Sequence, residues 1–299
     1  MVSTRIPDQY VRAGSIAREV REWIRANVRA GSGILDATEK IEAEIVRKGG
    51  QPAFPTGMGV NDVTAHYAPQ EDEVGVIQES DVVKIDYGVH IDGYVADTSI
   101  TITENPQYQS LLEATEKALQ AAIDVVKHDR RIGEIGRAID STARNEGFRP
   151  INNLSGHTVQ QYVVHAGKSI PNLYAPNLPM LRNEDVFAIE PFLTLPDAAG
   201  YVVEGRQENI FSLIVRRRTG NRELDELMDV IWDARKTLPF TPRWYSGRYK
   251  EGRLMTLLKE LEKRRLVRSY ATLIEASGKP VAQFEHTMAF GEKGLVILT

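Results

Sequence analysis

Val82-Val83-Lys84-Ile85-Asp86-Tyr87-Gly88 and Tyr94-Val95-Ala96-Asp97-Thr98-Ser99-Ile100-Thr101-Ile102 are two β-rich runs joined through Ile91-Asp92-Gly93. An Asp-Gly turn between two such runs predicts a hairpin. Each run carries one acid near its centre, Asp86 or Asp97, eleven residues apart. In an antiparallel pair with a short turn, an odd separation brings both side chains to one face.

Two more acids sit in apolar strand-like runs. Glu190 follows Val186-Phe187-Ala188-Ile189, and Glu285 follows Val281-Ala282-Gln283-Phe284. A carboxylate at a strand centre is costly to bury unless it is paired or bound to metal. A lone acid of this kind is ordinarily a cap or an ion-pair partner. Four of them outnumber the cations nearby, of which Lys84 is one candidate partner.

Composition narrows the chemistry. The chain has 299 residues, 42% of them hydrophobic, and a net charge of −4. That length supports one large domain or two small ones with a real core. The absence of cysteine removes disulfides, thiolate zinc sites and thiol nucleophiles. The charge argues against general nucleic-acid binding. No apolar run approaches the roughly 18–20 residues of a membrane helix. Met1-Val2-Ser3-Thr4 opens no signal-peptide core, so the expectation is a soluble, cytoplasmic protein with no membrane partner.

Periodicity predicts helices over 9–30, from an Asp36 cap with Glu39 to Gly49-Gly50, 108–126, 132–146, from about Asn221, and 251–264. Strands are expected at 159–164, 186–195, 208–216, 266–275, 280–290 and 294–299, with Ser277-Gly278 turning one strand of a pair into the next. Helices and hairpins without a βαβ rhythm indicate an α+β fold. Acid-bearing strands and two helices occur in each half, a faint internal echo. Residues 217–265, opened by Arg216-Arg217-Arg218 and highly charged, read as a helical subdomain inserted into a catalytic domain of 1–216 and 266–299.

Six histidines are present. His66, His157 and His165 lie beside small residues in strand or loop contexts, whereas His90 and His128 read as solvated surface. Four carboxylates and an imidazole suit two divalent ions that share oxygens and activate water near neutral pH. The donor set fits Mn, Co, Fe or Zn.

These stretches, with Leu154-Ser155-Gly156-His157, His165-Ala166-Gly167-Lys168, Ala188-Ile189-Glu190-Pro191-Phe192 and Ala282-Gln283-Phe284-Glu285-His286-Thr287, resemble the methionine aminopeptidases in order and spacing. The resemblance covers nearly the whole chain. It implies the pita-bread fold, a pseudo-twofold α+β domain. It implies that Asp86, Asp97, His157, Glu190 and Glu285 ligate two metals, with Asp97 and Glu285 bridging. It further implies a metal-bridging hydroxide as nucleophile, with Glu190 moving the proton and His66 and His165 binding substrate and oxyanion. Phe54, Val164 and Tyr270 match positions of the methionine pocket.

The long Glu190–Glu285 interval and Ala53-Phe54-Pro55-Thr56-Gly57 resemble type 2 enzymes, with a winged-helix-like insert. Without a long charged extension the chain is similar to the compact archaeal form. Ser155 stands where the eukaryotic form commonly has Asn, and 201–206 aligns with no pocket histidine. The implied substrates are polypeptide N-termini bearing methionine before a small residue. A monomer, transient ribosome contact through Arg216-Arg217-Arg218 or Lys263-Arg264-Arg265, and no specific nucleic acid complete the expectation. Two rivals stay open: an Xaa-Pro peptidase of the same fold, and a metal-free relative that binds protein or RNA.

Overall fold

A computed structural model describes residues 5–128, 130–249 and 252–299, apart from the His128 side chain. The first four residues of the N-terminal stretch read for a leader, the helix start at Glu251 and the surface reading of His128 lie outside these residues. Among the described residues no helix is long and apolar enough to cross a membrane.

The core is an antiparallel sheet. Its order runs Gln51–Pro52, Val82–Ile91, Tyr94–Thr103, Glu285–Gly291, Val186–Ile189, Ser155–Val159 and Ser169–Pro171. Gly57–Val60 joins beside Val82–Ile91, and Gly294–Ile297 beside Glu285–Gly291. Four helices pack in the large core with this sheet: α1 (Asp8–Asn27), α2 (Ile34–Arg47), α3 (Gln109–His128) and α4 (Ile132–Asn145). Two helices precede the first hairpin, and two more precede the second set of strands, so the echo in the sequence has a structural counterpart.

Alternation fixes which face meets the helices. Ile85, Tyr87 and Val89 are fully buried in the helical core. The intervening Asp86 and Gly88 therefore face the other way. The hairpin turn has Asp92 at φ 51° and Gly93 at φ 84°, the paired left-handed conformation of a two-residue turn. It fixes the register at Asp86 opposite Ser99 and Gly88 opposite Asp97.

A second sheet of Val63–Ala65, Val202–Leu213 and Val267–Glu275 brings Ala65, Ile210 and Tyr270 to the same cavity as Asp86. Beyond it, α5 (Arg222–Arg235) and α6 (Arg253–Lys263) build a second core on Leu224, Leu227, Leu258 and Leu261, completed by Phe211, Leu213 and Val267 from the strands. Asn221 caps α5, its side-chain oxygen accepting from Glu223 N and Leu224 N. Arg216 and Arg218 both pair with Asp229, which partly neutralises the basic run.

Several expectations need correction. Gly33, not Asp36, is the N-cap of α2; Asp36 lies in the first turn and pairs with Lys40 at 2.7 Å. The strand expected at 159–164 is Ser155–Val159, after which Tyr162 turns the chain with φ 60°. The run 186–195 is broken at Glu190-Pro191, where proline has no N–H for a ladder. The Ser277-Gly278 turn exists, but its arms do not pair. Val267–Glu275 belongs to the second sheet, whereas Val281–Gln283 pairs with Phe192–Thr194 in a separate small sheet and Glu285–Gly291 joins the main sheet. His90 is buried, because Val82–Ile91 continues to the turn; its Nδ1 accepts from Gly93 N at 3.1 Å. Lys84 does not bind the strand acids: its Nζ donates to Asn61 O and Val281 O at 2.8 and 2.9 Å.

Candidate metal centre

Five neighbouring strands of the main sheet each bring one donor to the same face. Asp86 and Asp97 come from the hairpin, Glu285 from the next strand, Glu190 from the end of Val186–Ile189, and His157 from Ser155–Val159. Register accounts for the common face. Ser99 lies opposite both Asp86 and Glu285, and Asp97 is two residues along from Ser99. His286 pairs with Ile189, so the same register carries Glu285 toward Glu190, and His157 pairs with Ala188, two residues before Glu190.

Donor atoms of Asp97, His157 and Glu285 lie within 4.8 Å of one another. His157 Nε2 is 3.6 Å from Asp97 Oδ2 and 3.4 Å from Glu190 Oε1. Asp86 Oδ1, Asp97 Oδ1 and Glu285 Oε1 are buried and have no hydrogen-bond partner among the described residues. Burial raises Asp86 to about 7. Burial, then mutual repulsion, pushes Asp97, Glu190 and Glu285 well above the carboxylate range. Burial lowers His157 to about 3, so it stands neutral with a free lone pair. Orphaned buried oxygens around a neutral imidazole are the donor set that divalent cations complete. The residues therefore fit the implied metal.

Threonines lock the strands where the ladder is short. Thr287 Oγ1 donates to Asp97 O and accepts from Asp97 N, both at 2.8 Å. Thr98 Oγ1 donates to Glu285 O at 2.8 Å, and Thr101 Oγ1 to Gln283 O at 2.7 Å. From the helical side, Arg21 of α1 reaches Thr98 Oγ1 and Glu285 O. Such contacts fix the direction of the donors.

All ten candidate residues line one cavity of about 320 Å³. His66 follows Val63–Ala65 with φ 58° and meets Tyr270 edge-on at 5.6 Å. Burial, then proximity to His165, lowers His66 to about 4. His165 is exposed at the mouth, its ring 4.3 Å from that of His157. Phe54 and Val164 form an apolar wall with Ala53, Val95 and Leu238.

Gly88 makes room for that wall. A Cβ there would stand 2.5 Å from Phe54 Cε1 and 2.8 Å from Ala53 Cβ. Gly88→Ala is therefore expected to displace Phe54 and lower stability by about 1–3 kcal/mol. Urea unfolding measures this, and an unchanged midpoint would show that the wall yields freely.

Several contributors escaped sequence reasoning. Gln283 Nε2 donates to Glu190 Oε2 at 3.3 Å, and its amide also reaches Asp86. The polar side chain within an apolar run was the available signal. Ile210 and Pro239 also line the cavity, and nothing local in the sequence marks them.

The profile of metallopeptidase family M24 matches residues 8–215. A methionine aminopeptidase of Pyrococcus horikoshii is 41% identical over 293 residues, 98% of this chain and 99% of the relative. Two solved structures share the fold. A thermophilic Arx1 aligns with a TM-score of 0.84 at 16% identity, over 97% of this chain and 89% of the other. The methionine aminopeptidase of Rickettsia prowazekii aligns at 0.70 and 20% identity, over 100% of both. The fold is thus the pita-bread α+β fold expected from the sequence. The chain belongs to metallopeptidase family M24, in the group of the compact archaeal methionine aminopeptidases.

Proposed function

We propose that the protein removes N-terminal methionine from polypeptides whose second residue is small, with Asp86, Asp97, His157, Glu190 and Glu285 holding two divalent metals. The observation carrying this reading is the convergence of four carboxylates and a neutral imidazole on one face, with buried oxygens left unpartnered. Divalent metal at such a site supplies a Lewis acid for the scissile carbonyl and lowers the pKa of water.

The chain's own groups do the rest. Glu190 takes the proton of the attacking water and delivers it to the leaving amine. Gln283 holds Glu190 by Oε2 and leaves Oε1 directed at the donor cluster. His66, neutral at working pH, donates to substrate or to the oxyanion as charge develops, and His165 does so from the mouth. Phe54, Val164 and Tyr270 enclose the methionine side chain.

The second core supports reading 217–265 as a subdomain inserted into a catalytic domain of 1–216 and 266–299. The wider setting of this reading is a cytoplasmic monomer that makes transient contact with the ribosome.

The test is hydrolysis of Met-Ala-Ser and of an Xaa-Pro peptide, before and after chelation, with Mn, Co, Fe and Zn restored singly. Release of methionine only, lost on chelation and restored by at least one ion, is expected. Xaa-Pro cleavage in its place, or chelator-insensitive activity, overturns the reading.

A further inference from the structure

The helices beyond the second sheet do not merely rest against the catalytic face. The segment leaving α5 enters the wall of the cavity. Arg235, the last residue of α5, is buried. One of its terminal nitrogens, Nη2, donates to Ala53 O at 3.0 Å and to Pro239 O at 3.1 Å. Ala53 directly precedes Phe54, and Pro239 itself lines the cavity. Leu238, fully buried, packs in the same cluster as Val164 and Phe54. Thr237 Oγ1 donates to Tyr162 O at 2.6 Å, two residues before Val164.

The other end of the Phe54 strap is held as well. Buried Glu42 of α2 accepts from Thr56 N at 3.2 Å, from Arg243 at 2.8 Å and from Trp244 Nε1 at 2.9 Å. The guanidinium of Arg235 lies 4.8 Å from the Trp244 ring centroid. Phe54-Pro55 is thus fixed at Ala53 by Arg235, and at Thr56 by a carboxylate that also binds the helical insert.

We propose that Arg235 is a positioning residue that sets the dimensions of the methionine side-chain pocket from within the helical insert. The inference rests on the functional reading above and names what controls its specificity. Arg235 touches no donor of the metal cluster in this geometry. Its loss moves the two apolar walls and leaves the hydrolytic machinery in place. A buried planar fork is suited to holding carbonyls of two segments at once, which an ammonium does less well. A small wall displacement is enough to weaken a fitted pocket, since one methylene in such a pocket changes discrimination by about 10–200-fold.

The test compares wild type with Arg235→Met and Arg235→Lys on Met-Ala-Ser and Leu-Ala-Ser, with metal content measured for each. Arg235→Met is expected to raise KM for Met-Ala-Ser about tenfold while kcat stays within about twofold, and to narrow the preference for methionine over leucine. Arg235→Lys should recover part of both. Unchanged KM and preference in folded Arg235→Met, or a fall in kcat alone, overturns the assignment. Should Arg235→Met fail to fold, Thr237→Val loosens the same segment, and an unchanged KM there overturns it equally. A wild type inactive on Met-Ala-Ser would instead remove the functional reading itself.

Discussion

Asp97→Asn is expected to lower kcat/KM on Met-Ala-Ser on the order of a thousandfold, corresponding to about 4 kcal/mol of lost transition-state stabilisation. Asp97 stands where the donor cluster converges, beside His157 and Glu285. Its backbone is pinned on both sides by Thr287, and asparagine keeps the side-chain shape. Folding should therefore persist while the anionic oxygen disappears. Bound metal, measured by elemental analysis, should fall with activity. Full activity with full metal content would remove Asp97 from the metal site.

Removing the metal should act on stability with a definite pH dependence. In the metal-free chain, burial raises Asp86 to about 7, and Asp97, Glu190 and Glu285 lie well above the carboxylate range. An unfolded carboxylate loses its proton near its ordinary value, whereas these folded ones keep theirs. At these four groups the folded form binds more protons, so their contribution to the stability of the metal-free protein declines as pH rises from the ordinary carboxylate value toward about 7 for Asp86, while the buried histidines, such as His66 at about 4 and His157 at about 3, act in the opposite direction in both loaded and chelated forms. A divalent cation takes the place of those protons and removes the penalty. Metal at about a thousandfold over its dissociation constant contributes about 4 kcal/mol. For a chain of 299 residues that is a melting shift of roughly 6–7 °C. Calorimetry at pH 5 and pH 8 should show the gap between loaded and chelated forms widening at the higher pH. A constant or narrowing gap would mean that the buried acids do not hold their protons.

The hairpin of Asp86 and Asp97 was legible because everything that sets it is local. A two-residue turn fixes register, register fixes parity, and parity puts both acids on one face. By local pattern alone, apart from the family resemblance, Glu190 and Glu285 were visible only as charged residues in apolar runs. Their meeting depends on Glu285–Gly291 lying between Tyr94–Thr103 and Val186–Ile189, an order that periodicity does not encode. The same limit produced the false pairing across Ser277-Gly278, a genuine turn whose arms enter different sheets. His90 was misjudged because its polar neighbours suggested a surface loop, whereas the ladder runs to Ile91 and Arg235 and Tyr162 close over it. Ile210 and Pro239 reach the cavity only through tertiary packing, so no local pattern announces them.

The five donors come from five different strands, the first at residue 86 and the last at residue 285. Their assembly ranks among the most non-local events in the folding of this chain, and such contacts form slowly because long loops must close first. No partly folded intermediate that lacks the Glu285 strand can hold the full donor set. Catalytic competence therefore arrives after the main sheet has closed. On the proposed assignment of the donors, a chain still being synthesised would be inert toward peptide N-termini until residue 285 had emerged and joined the main sheet.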